Sequence, residues 1–476
     1  MHSMCSPLNS KRDNAEFQVV DNRSVKTRYN KRKYFHHKWR RQYYNARTYK
    51  GKQREQPRTA LTKTNKTKPQ RRKQRINYRN SYNWKRYQNK TKRPNSIPVS
   101  EEWEQVDSIP FKELNDLDAI EQPPQVEDVY KCGKVRPFNA ALRGVDTRNP
   151  LKLRHAAETT FLNVSTTDDP IIQSLAEQEV AHVFMTDDIL AALMCASRSV
   201  DPWDLVVKRI GDYVFFDKRD GSNFDFLRVR ETAAEPPNED DGKTFINAPE
   251  PLSREATLIN QYYSQQALDV EGTPIDFGNE SPFAEDASVA DVGYTYRKFE
   301  YESSETEVEK ITFVVRTQVD AYTIKSSGRK AMTVHALHEY DPTLDLNWRS
   351  SLDTQGGAVL ATEIKNSANR LARVTARAIA AGNDLVHLGF VTRTNPAKHI
   401  DHSVLGTQTM RTETLARQLQ IVPEALWVSA AAIVDSALAL GEGTYVLMKD
   451  ANESVLRFFA VPDNFEEELA AGPSFA

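Results

Sequence analysis

Two short stretches hold residue types that could do chemistry. His335-Ala-Leu-His338-Glu339 carries three potential metal ligands. It lies in a predicted strand, where side chains three positions apart point to opposite faces, so the two imidazoles should diverge. Gly242-Lys243-Thr244 matches the end of a phosphate-binding loop, but that loop requires a glycine where Pro237 stands. We therefore interpret both histidines as structural or surface residues and exclude the phosphate-binding loop.

Covalent catalysis by a serine, a zinc knuckle and membrane insertion have no recognisable sequence basis. A Gly-x-Ser-x-Gly turn is absent, and Cys5, Cys132 and Cys195 are too widely spaced for a zinc knuckle. So few, unpaired cysteines indicate a reducing compartment. No apolar run approaches the roughly 18–20 residues of a membrane span, and the N-terminus has no apolar secretory stretch. We expect a protein that stays in the cytosol or nucleus.

Charge is distributed very unevenly along the chain. Residues 1–100 contain 29 Lys and Arg but only four acidic residues, a formal charge of +25, and the remainder sums to −26. Such a segment cannot form a core, because its like charges repel on compaction. Its basic residues can neutralise phosphates, and its interleaved aromatic rings can stack on unpaired bases. The proposed contacts are Arg32, Lys33, Trp39, Arg40, Arg41, Arg71, Arg72 and Lys73.

We therefore predict a disordered arm over residues 1–94 that binds RNA, the ribosome or a protein partner. A solvated tail serving only solubility or nuclear import is the simpler alternative. The regular interleaving of aromatic residues favours RNA contact over that alternative.

The remaining 376 residues suffice for one large domain or two ordinary ones. Asp169 stands at an N-cap position and Pro170 at a first helical position. Further helices are predicted after Thr186, over 254–268, over 367–381 and over 423–440. Strands are predicted over 205–210, 213–217, 224–229, 311–317, 331–337, 357–364, 385–393, 445–449 and 455–461. This order predicts a mixed α/β body without an internal repeat.

Twelve short stretches occur in the order found in one protein family. They are EFQVVD at 16–21, TTDDPI at 166–171, TDDIL at 186–190, SRSV at 197–200, WDLVV at 203–207, FFDKRD at 215–220, ETAAEPP at 231–237, EAT at 255–257, SQQ at 264–266, GAV at 357–359, ATEIKN at 361–366 and LGTQ at 405–408. With these stretches in order, the chain resembles the D-subunit family of eukaryotic translation initiation factor 3 over residues 16–462.

The resemblance implies a mixed α+β, cup-shaped body similar to the decapping-exonuclease (DXO) fold, which holds the RNA 5′ end. We expect a connector over 95–160 that docks on the body, a cap-binding body over 161–462 and a short acidic tail over 463–476. The acidic, Pro-rich residues 231–253 match the insertion called the RNA gate, and an acidic flap would repel phosphate until moved aside. Its key positions are Glu235, Pro236, Pro237, Glu239, Asp240 and Asp241.

The resemblance also implies a set of cap-binding positions. Asp187, Val200, Thr257 and Asn260 match the family, whereas Asp201 replaces a tyrosine and Gln261 replaces a histidine. Loss of the aromatic ring could remove stacking on the cap, but an acid can contact the edge of the cationic m7G ring. For Asp187 the simpler interpretation is a first-turn acid that favours its helix.

Decapping nucleases of this fold hold divalent metals with carboxylates, including a Glu-x-Asp pair and a Glu-x-Lys element. Glu363-Ile364-Lys365 has the second form, and we interpret its charged residues as neighbours on one face of a strand. Gln318-Val319-Asp320 has an amide in place of the first carboxylate. Because a two-metal site needs a dense set of anionic ligands, we predict no metal site, no cofactor and no catalysis.

The predicted function is that of an mRNA cap-binding subunit of the initiation factor 3 complex. It would promote cap-dependent initiation on selected mRNAs in the cytoplasm. Its expected partners are the capped mRNA 5′ end, the other subunits of the complex and the 40S ribosomal subunit, with no membrane. The alternatives are a scaffold that tethers RNA or ribosome through its basic arm, with an inactive cap pocket, and a residual decapping nuclease. The short segment before residue 16 is consistent with a divergent paralogue.

Overall fold

A computed structural model describes residues 93–117, 123–156, 158–237, 245–283, 289–302 and 310–471, together with residues 10–11 and 14–15. The residues described from position 94 onwards belong to one compact unit. Eleven of the predicted site residues lie outside the described residues. They are the arm residues Arg32, Lys33, Trp39, Arg40, Arg41, Arg71, Arg72 and Lys73 and the gate residues Glu239, Asp240 and Asp241.

Most described strands join one large sheet. The strands are β1 (Ser10–Lys11), β2 (Asn14–Ala15), β3 (Glu104–Pro110), β4 (Gln125–Pro137), β5 (Leu151–Lys152), β6 (Val183–Thr186), β7 (Trp203–Ile210), β8 (Tyr213–Asp217), β9 (Ile275–Asp276), β10 (Gly293–Glu302), β11 (Lys310–Val319), β12 (Ala321–Lys325), β13 (Gly328–Glu339), β14 (Leu385–Arg393), β15 (His402–Arg411), β16 (Gly443–Lys449) and β17 (Val455–Val461). Strands β1 and β2 pair with each other.

The large sheet is mixed. Its strand order is β3-β17-β16-β7-β8-β6-β11-β10-β4-β12-β13-β14-β15-β5, and β9 pairs with β4. Most neighbours are antiparallel, whereas β6 pairs in parallel with β8 and β11, β4 with β12, and β13 with β14. Strands β3 and β4 come from the predicted connector, so that segment contributes to the sheet itself.

Helices cover the sheet and supply much of the core. They are α1 (Phe111–Asp116), α2 (Pro170–Glu177), α3 (Asp187–Met194), α4 (Pro249–Gln266), α5 (Trp348–Asn366), α6 (Ala368–Ala381), α7 (Thr412–Gln418), α8 (Pro423–Leu438) and α9 (Phe465–Ala471). Short 3₁₀ helices span Ala140–Gly144, Ala196–Arg198 and Phe245–Asn247. The largest apolar cluster unites α3, α6 and α8, for example through Leu190, Leu371 and Ile433.

One edge of β13 is hydrogen-bonded to side chains instead of a strand. Its pairing with β12 ends at Met332, whereas its pairing with β14 continues to Glu339. Beyond that point the Val334 N–H donates to Asp320 Oδ2 at 2.7 Å. The Ala336 N–H donates to a side chain of α4 and its carbonyl accepts from a side chain of α6. This open edge positions the polar residues of the candidate site.

Residues 412–438 are the most membrane-like part of the described chain. No single described helix is long and apolar enough to cross a bilayer. The pair α7 and α8 reaches the required length and composition only together, and it bends by 83° at its break.

The predicted mixed α+β class is confirmed, as are most elements. Asp169 caps α2 by accepting the N–H groups of Ile171 and Ile172 at 2.9 and 3.2 Å. Helix α6 ends at Gly382, whose φ of +66° lies in the left-handed region that favours glycine.

Two predicted strands were wrong. Residues 224–229 form no regular element, and the Leu227 N–H donates to a side chain at 2.9 Å where a strand would need a backbone partner. Residues 357–364 belong to α5, which buries Val359, Leu360 and Glu363 on one face at helical spacing. A short apolar run does not by itself distinguish a strand from a buried helix.

Candidate functional site

The first turn of α3 carries two neighbouring carboxylates that face one arginine. The helix begins at Asp187, where its dipole favours negative charge. Arg377 Nε, on α6, lies 3.3 Å from Asp187 Oδ2 and 3.2 Å from Asp188 Oδ1. Asp187 Oδ2 also accepts the backbone N–H of Gln318 at 3.2 Å. This predicted cap-binding side chain is therefore buried and bonded within the protein.

The two carboxylates differ in their tendency to ionise. Burial raises the pKa of Asp187, and the attraction of Arg377 offsets that effect only in part. Burial acts in the same direction on Asp188, but Arg377, Lys218 and Arg373 together outweigh it and lower its pKa to about 2. Asp188 is thus an ionised partner of Arg377 at neutral pH.

Val200 and Asp201 follow the 3₁₀ helix that succeeds α3. The hydroxyl of Ser199 donates to the Asp201 carbonyl at 2.9 Å, which fixes this turn. Asp201 Oδ2 lies 3.6 Å from Arg228 Nε, and the arginine side chain is 40% exposed. Val200 is half-buried. This part of the predicted site therefore presents an acid and a base at the protein surface.

The other predicted cap-binding residues share one face of α4. Thr257 Oγ1 donates to the Ser253 carbonyl at 2.8 Å and accepts the Leu227 N–H at 2.9 Å. Asn260 Oδ1 accepts the Ala336 N–H at 2.9 Å, and Gln261 is half-buried beside it. Thr257 and Asn260 are therefore already hydrogen-bonded to the backbone of neighbouring segments.

A short segment joins the two halves of the predicted site. Leu227 bonds to Thr257 on α4, and the next residue, Arg228, faces Asp201. Leu227 and Val229 also pack in one apolar cluster with Ala256 of α4. Asp201, which follows α3, and Thr257, on α4, thus contact adjacent residues of the same short segment.

The start of the predicted gate is held by buried groups. Glu231 is buried, and its Oε1 accepts the backbone N–H of Arg370 at 2.9 Å. The Thr232 N–H donates to the Asn366 carbonyl at 3.0 Å. Farther along, Glu235 is exposed, whereas Pro236 and Pro237 are half-buried. The predicted gate therefore begins beside the junction of α5 and α6.

Arg370 connects this anchor to the open edge of β13. Its Nη2 donates to the Ala336 carbonyl at 2.5 Å and its Nε donates to His335 Nε2 at 3.0 Å. Because arginine can only donate, Nε2 of His335 must be unprotonated. Burial and the nearby arginines lower the pKa of His335 well below its usual range, in agreement with a neutral ring.

The predicted Glu-x-Lys pair on a strand was wrong, because both residues lie in α5. Glu363 is buried whereas Lys365 is exposed, since positions two apart in a helix diverge. Burial raises the pKa of Glu363 to about 7, although Arg230 and Arg370 act in the opposite direction. Gln318 Nε2 donates to Asp320 Oδ1 at 2.6 Å, and the second carboxylate oxygen accepts the Val334 N–H of β13.

Replacing Glu231 with glutamine should make stability less dependent on pH. Burial raises the pKa of Glu231 from 4.5 to about 7, and its bond from the Arg370 N–H does not offset this. The protonated form therefore contributes stability below pH 4.5 that is lost as the pH rises through 7. Glutamine keeps the acceptor without ionising, so Glu231→Gln should gain up to about 3 kcal/mol over the wild type between about pH 5 and 8.

Urea unfolding at several pH values measures this effect. The exposed Glu235, four residues along the same segment, provides the matched control Glu235→Gln. Parallel pH profiles for the wild type and Glu231→Gln would show that Glu231 is already ionised in the folded chain.

The end of the predicted gate is held by a second buried cluster. Arg393 Nη1 donates to Asn247 Oδ1 at 2.7 Å, and Nη2 donates to the Ile246 carbonyl at 3.2 Å. The same guanidinium pairs with Glu255 of α4, at 2.8 Å to Oε1 and 2.5 Å to Oε2. Sequence analysis missed this cluster because its members are up to 147 positions apart. The local sign in the sequence was Arg393 at the end of the largely apolar strand β14.

His338 lies beside Glu255, and His335 lies beside Arg370. The two histidines thus diverge to opposite faces of β13, as the strand period predicted.

Comparison with known proteins places the chain in a family. A model described as "Eukaryotic translation initiation factor 3 subunit 7 (eIF-3)" matches residues 3–460. The chain belongs to this family. Relatives named as the D subunit of eukaryotic translation initiation factor 3 include proteins from Arabidopsis thaliana (38% identical, 79% of this chain and 63% of that protein), Xenopus laevis (39%, 78% and 67%) and Schizosaccharomyces pombe (37%, 83% and 70%).

The chain spans about two thirds of the length of these initiation factor 3 relatives. Their names describe initiation factor subunits and no enzymes. The family assignment agrees with the resemblance found in the sequence.

Distant structural likenesses also exist. Scheffersomyces stipitis Rai1 in complex with (3'-NADP)+ and calcium ion has a TM-score of 0.45 and 11% identity, covering 79% of this chain and 96% of that one. S. pombe Rai1 has a TM-score of 0.41 and 10% identity, covering 75% and 99%. At such low similarity, the mixed α+β architecture rests on the strands and helices of this chain itself.

Proposed function

We propose that this chain is an mRNA cap-binding subunit of the eukaryotic translation initiation factor 3 complex. It would promote cap-dependent initiation on selected mRNAs in the cytoplasm, together with the other subunits and the 40S ribosomal subunit. Membership of the initiation factor family supports the general role. The observation that carries the cap-binding part is the convergence of Asp201 and Thr257 on the Leu227–Arg228 segment.

Charge at this surface supports a cationic ligand. Asp201 is half-buried beside Arg228, and Glu231 is close enough that its pKa is raised by the Asp201 charge. The Asp201 carboxylate beside the exposed Arg228 would attract the positively charged m7G ring more than an unmethylated guanine. Arg228 can meanwhile contact the phosphates that follow the cap. The acid at position 201 would thus replace stacking with an electrostatic contact.

Three features support binding without cleavage. Position 318 holds an amide, both oxygens of Asp320 accept hydrogen bonds within the protein, and Glu363 and Lys365 diverge on a helix. Hydrolysis assisted by two metal ions needs several carboxylate oxygens aimed at one point. The contacts made by Gln318 and Asp320 oppose that arrangement.

Replacing Asp201 with asparagine should reduce the preference for the m7G end. We expect a loss of about tenfold, equivalent to about 1.4 kcal/mol, since the variant loses a charge and keeps the shape. Gln261→Ala provides a second variant. Thr257 and Asn260 are poorer choices, because their replacement would also leave the N–H groups of Leu227 and Ala336 unpaired.

The measurement uses the full chain with three short RNAs that differ only in their 5′ end: m7G cap, unmethylated cap or triphosphate. Binding and RNA integrity are followed at two salt concentrations with Mg²⁺ and Mn²⁺ present. The exposed acid Glu413 on α7 supplies the control Glu413→Gln. An m7G preference that survives higher salt, with intact RNA, supports the proposal.

Equal binding to all three ends, weakening steeply with salt, would contradict cap recognition. It would favour the alternative of a scaffold that tethers RNA through its basic arm. Shortened RNA in the presence of metal would contradict the non-catalytic assignment.

A further inference from the structure

Three potential metal ligands converge inside the body. Glu255 comes from α4, His338 from β13 and His402 from β15, and all three residues are buried. His402 Nε2 lies 2.8 Å from Glu255 Oε1, and His338 Nε2 lies 3.3 Å from the same oxygen. The three ligand atoms are within 4.8 Å of one another.

One oxygen cannot serve all of its neighbours as a hydrogen-bond acceptor. Glu255 Oε1 already accepts Arg393 Nε at 2.8 Å. A carboxylate oxygen offers about two lone-pair directions, which leaves one for two imidazoles. Among the described residues, neither ring nitrogen of His338 has a partner with hydrogen-bond geometry, although the side chain is fully buried. Buried polar atoms without partners are rare and call for an explanation.

We propose that Glu255, His338 and His402 bind a divalent transition-metal ion, with Zn²⁺ as the best match. A cation at the shared point would accept lone pairs from Oε1 and from both Nε2 atoms, which gives Nε2 of His338 the partner that it lacks. Two histidines and one carboxylate form a known zinc donor set. Mg²⁺ and Ca²⁺ prefer ligand sets made only of oxygen.

One of the ligand spacings matches this assignment directly, and a second matches it after a small movement. Bonds of about 2.0–2.2 Å in tetrahedral geometry place two ligand atoms roughly 3.3 Å apart. The distance from Oε1 to His338 Nε2 matches that value, and the distance to His402 Nε2 requires an expansion of about 0.5 Å. A rotation of the His402 ring would provide it.

Arg393 orients one ligand of the proposed site and lowers its affinity for a cation. Its bond to Glu255 Oε2 orients the carboxylate, as hydrogen-bonded groups around metal ligands commonly do. Its positive charge opposes a second cation at short range, so binding is weaker than at a zinc site without an adjacent arginine. The ion would connect α4, β13 and β15, and Arg393 would link this site to Ile246 and Asn247 at the end of the predicted gate.

The test uses the full chain after treatment with a chelator. Addition of Zn²⁺ should raise Tm by about 4 °C. Addition of Co²⁺ should produce visible absorption bands that saturate at one ion per chain. An unchanged Tm together with no Co²⁺ bands would overturn the proposal. Intense near-ultraviolet thiolate bands would also overturn it, because the ion would then be bound by cysteine.

Matched variants assign the ligands. His338→Leu removes a ligand but no hydrogen bond, so the metal-free chain should keep its Tm while its response to Zn²⁺ and Co²⁺ is lost. His402→Gln should lose the response as well. His399 is exposed on the loop before β15, so His399→Gln should respond like the wild type. A full Co²⁺ spectrum in both His338→Leu and His402→Gln would contradict the assignment.

Discussion

Replacing Arg393 with methionine should destabilise the chain by about 3–5 kcal/mol, because it leaves a buried carboxylate without its cation. Arg393 is 2% exposed. Its guanidinium donates to Glu255 Oε1, Glu255 Oε2, Asn247 Oδ1, the Ile246 carbonyl and the Pro396 carbonyl. Methionine fills part of the volume but cannot donate, so these acceptors lose their partner as well.

Chemical unfolding of the two proteins measures this loss. Arg254 also forms an ion pair on α4, at 3.0 Å from Glu250. Both of these side chains are more exposed than those of Arg393 and Glu255. Arg254→Met should therefore cost no more than about 1 kcal/mol. Similar losses for both variants would show that burial of the Arg393 pair carries no special weight. Replacing Glu255 together with Arg393 by apolar residues should restore part of the stability.

Replacing Asp169 with alanine should destabilise the chain by about 4–6 kcal/mol, since one carboxylate serves three elements. Asp169 is completely buried. Its Oδ2 pairs with Arg316 Nη1 at 2.7 Å, and both its oxygens accept from the Tyr296 hydroxyl, at 3.1 and 2.9 Å. Its Oδ1 also caps α2. Alanine leaves the Arg316 guanidinium without its carboxylate, although the bond from Nη2 to the Val164 carbonyl remains, and leaves the Tyr296 hydroxyl without its acceptor.

Two further variants separate the contributions of Asp169. Asp169→Asn keeps an oxygen for the helix cap but removes the charge, so it should lose less than Asp169→Ala. Asp168, the preceding residue, is only half-buried and accepts from Ser165 Oγ at 2.7 Å. Asp168→Asn should cost about 1 kcal/mol or less. Equal losses at positions 168 and 169 in urea unfolding would contradict the role of the Arg316 pair.

These residues also show what sequence reasoning can reach. The N-cap role of Asp169 was predictable, because capping depends on residues two and three positions away. Its bonds to Tyr296 and Arg316 span 127 and 147 positions, and no local pattern specifies them. The pairing of Glu255 with Arg393 could not be predicted for the same reason, since it depends on how α4 lies against β14.

The candidate site was predictable to a similar extent. The family resemblance picked out Asp187, Thr257 and Asn260, but not the groups to which they bond. The Glu363 element was assigned to a strand because an apolar run with β-branched residues suits either structure over a few residues. Asn347 accepts the Ser350 N–H at the start of that helix, well before the run begins. Here the deciding information lay outside the segment being interpreted.

The open edge of β13 has a consequence for which side chains the sheet can lose. A strand edge without a neighbouring strand leaves N–H and carbonyl groups that need other partners when they are buried. Val334 and Ala336 are buried, and Asp320, Asn260 and Arg370 supply those partners. A variant that withdraws one of these side chains would leave a buried backbone group unpaired, at a cost of about 1–3 kcal/mol. The polar residues around the candidate site therefore take the place of a missing strand.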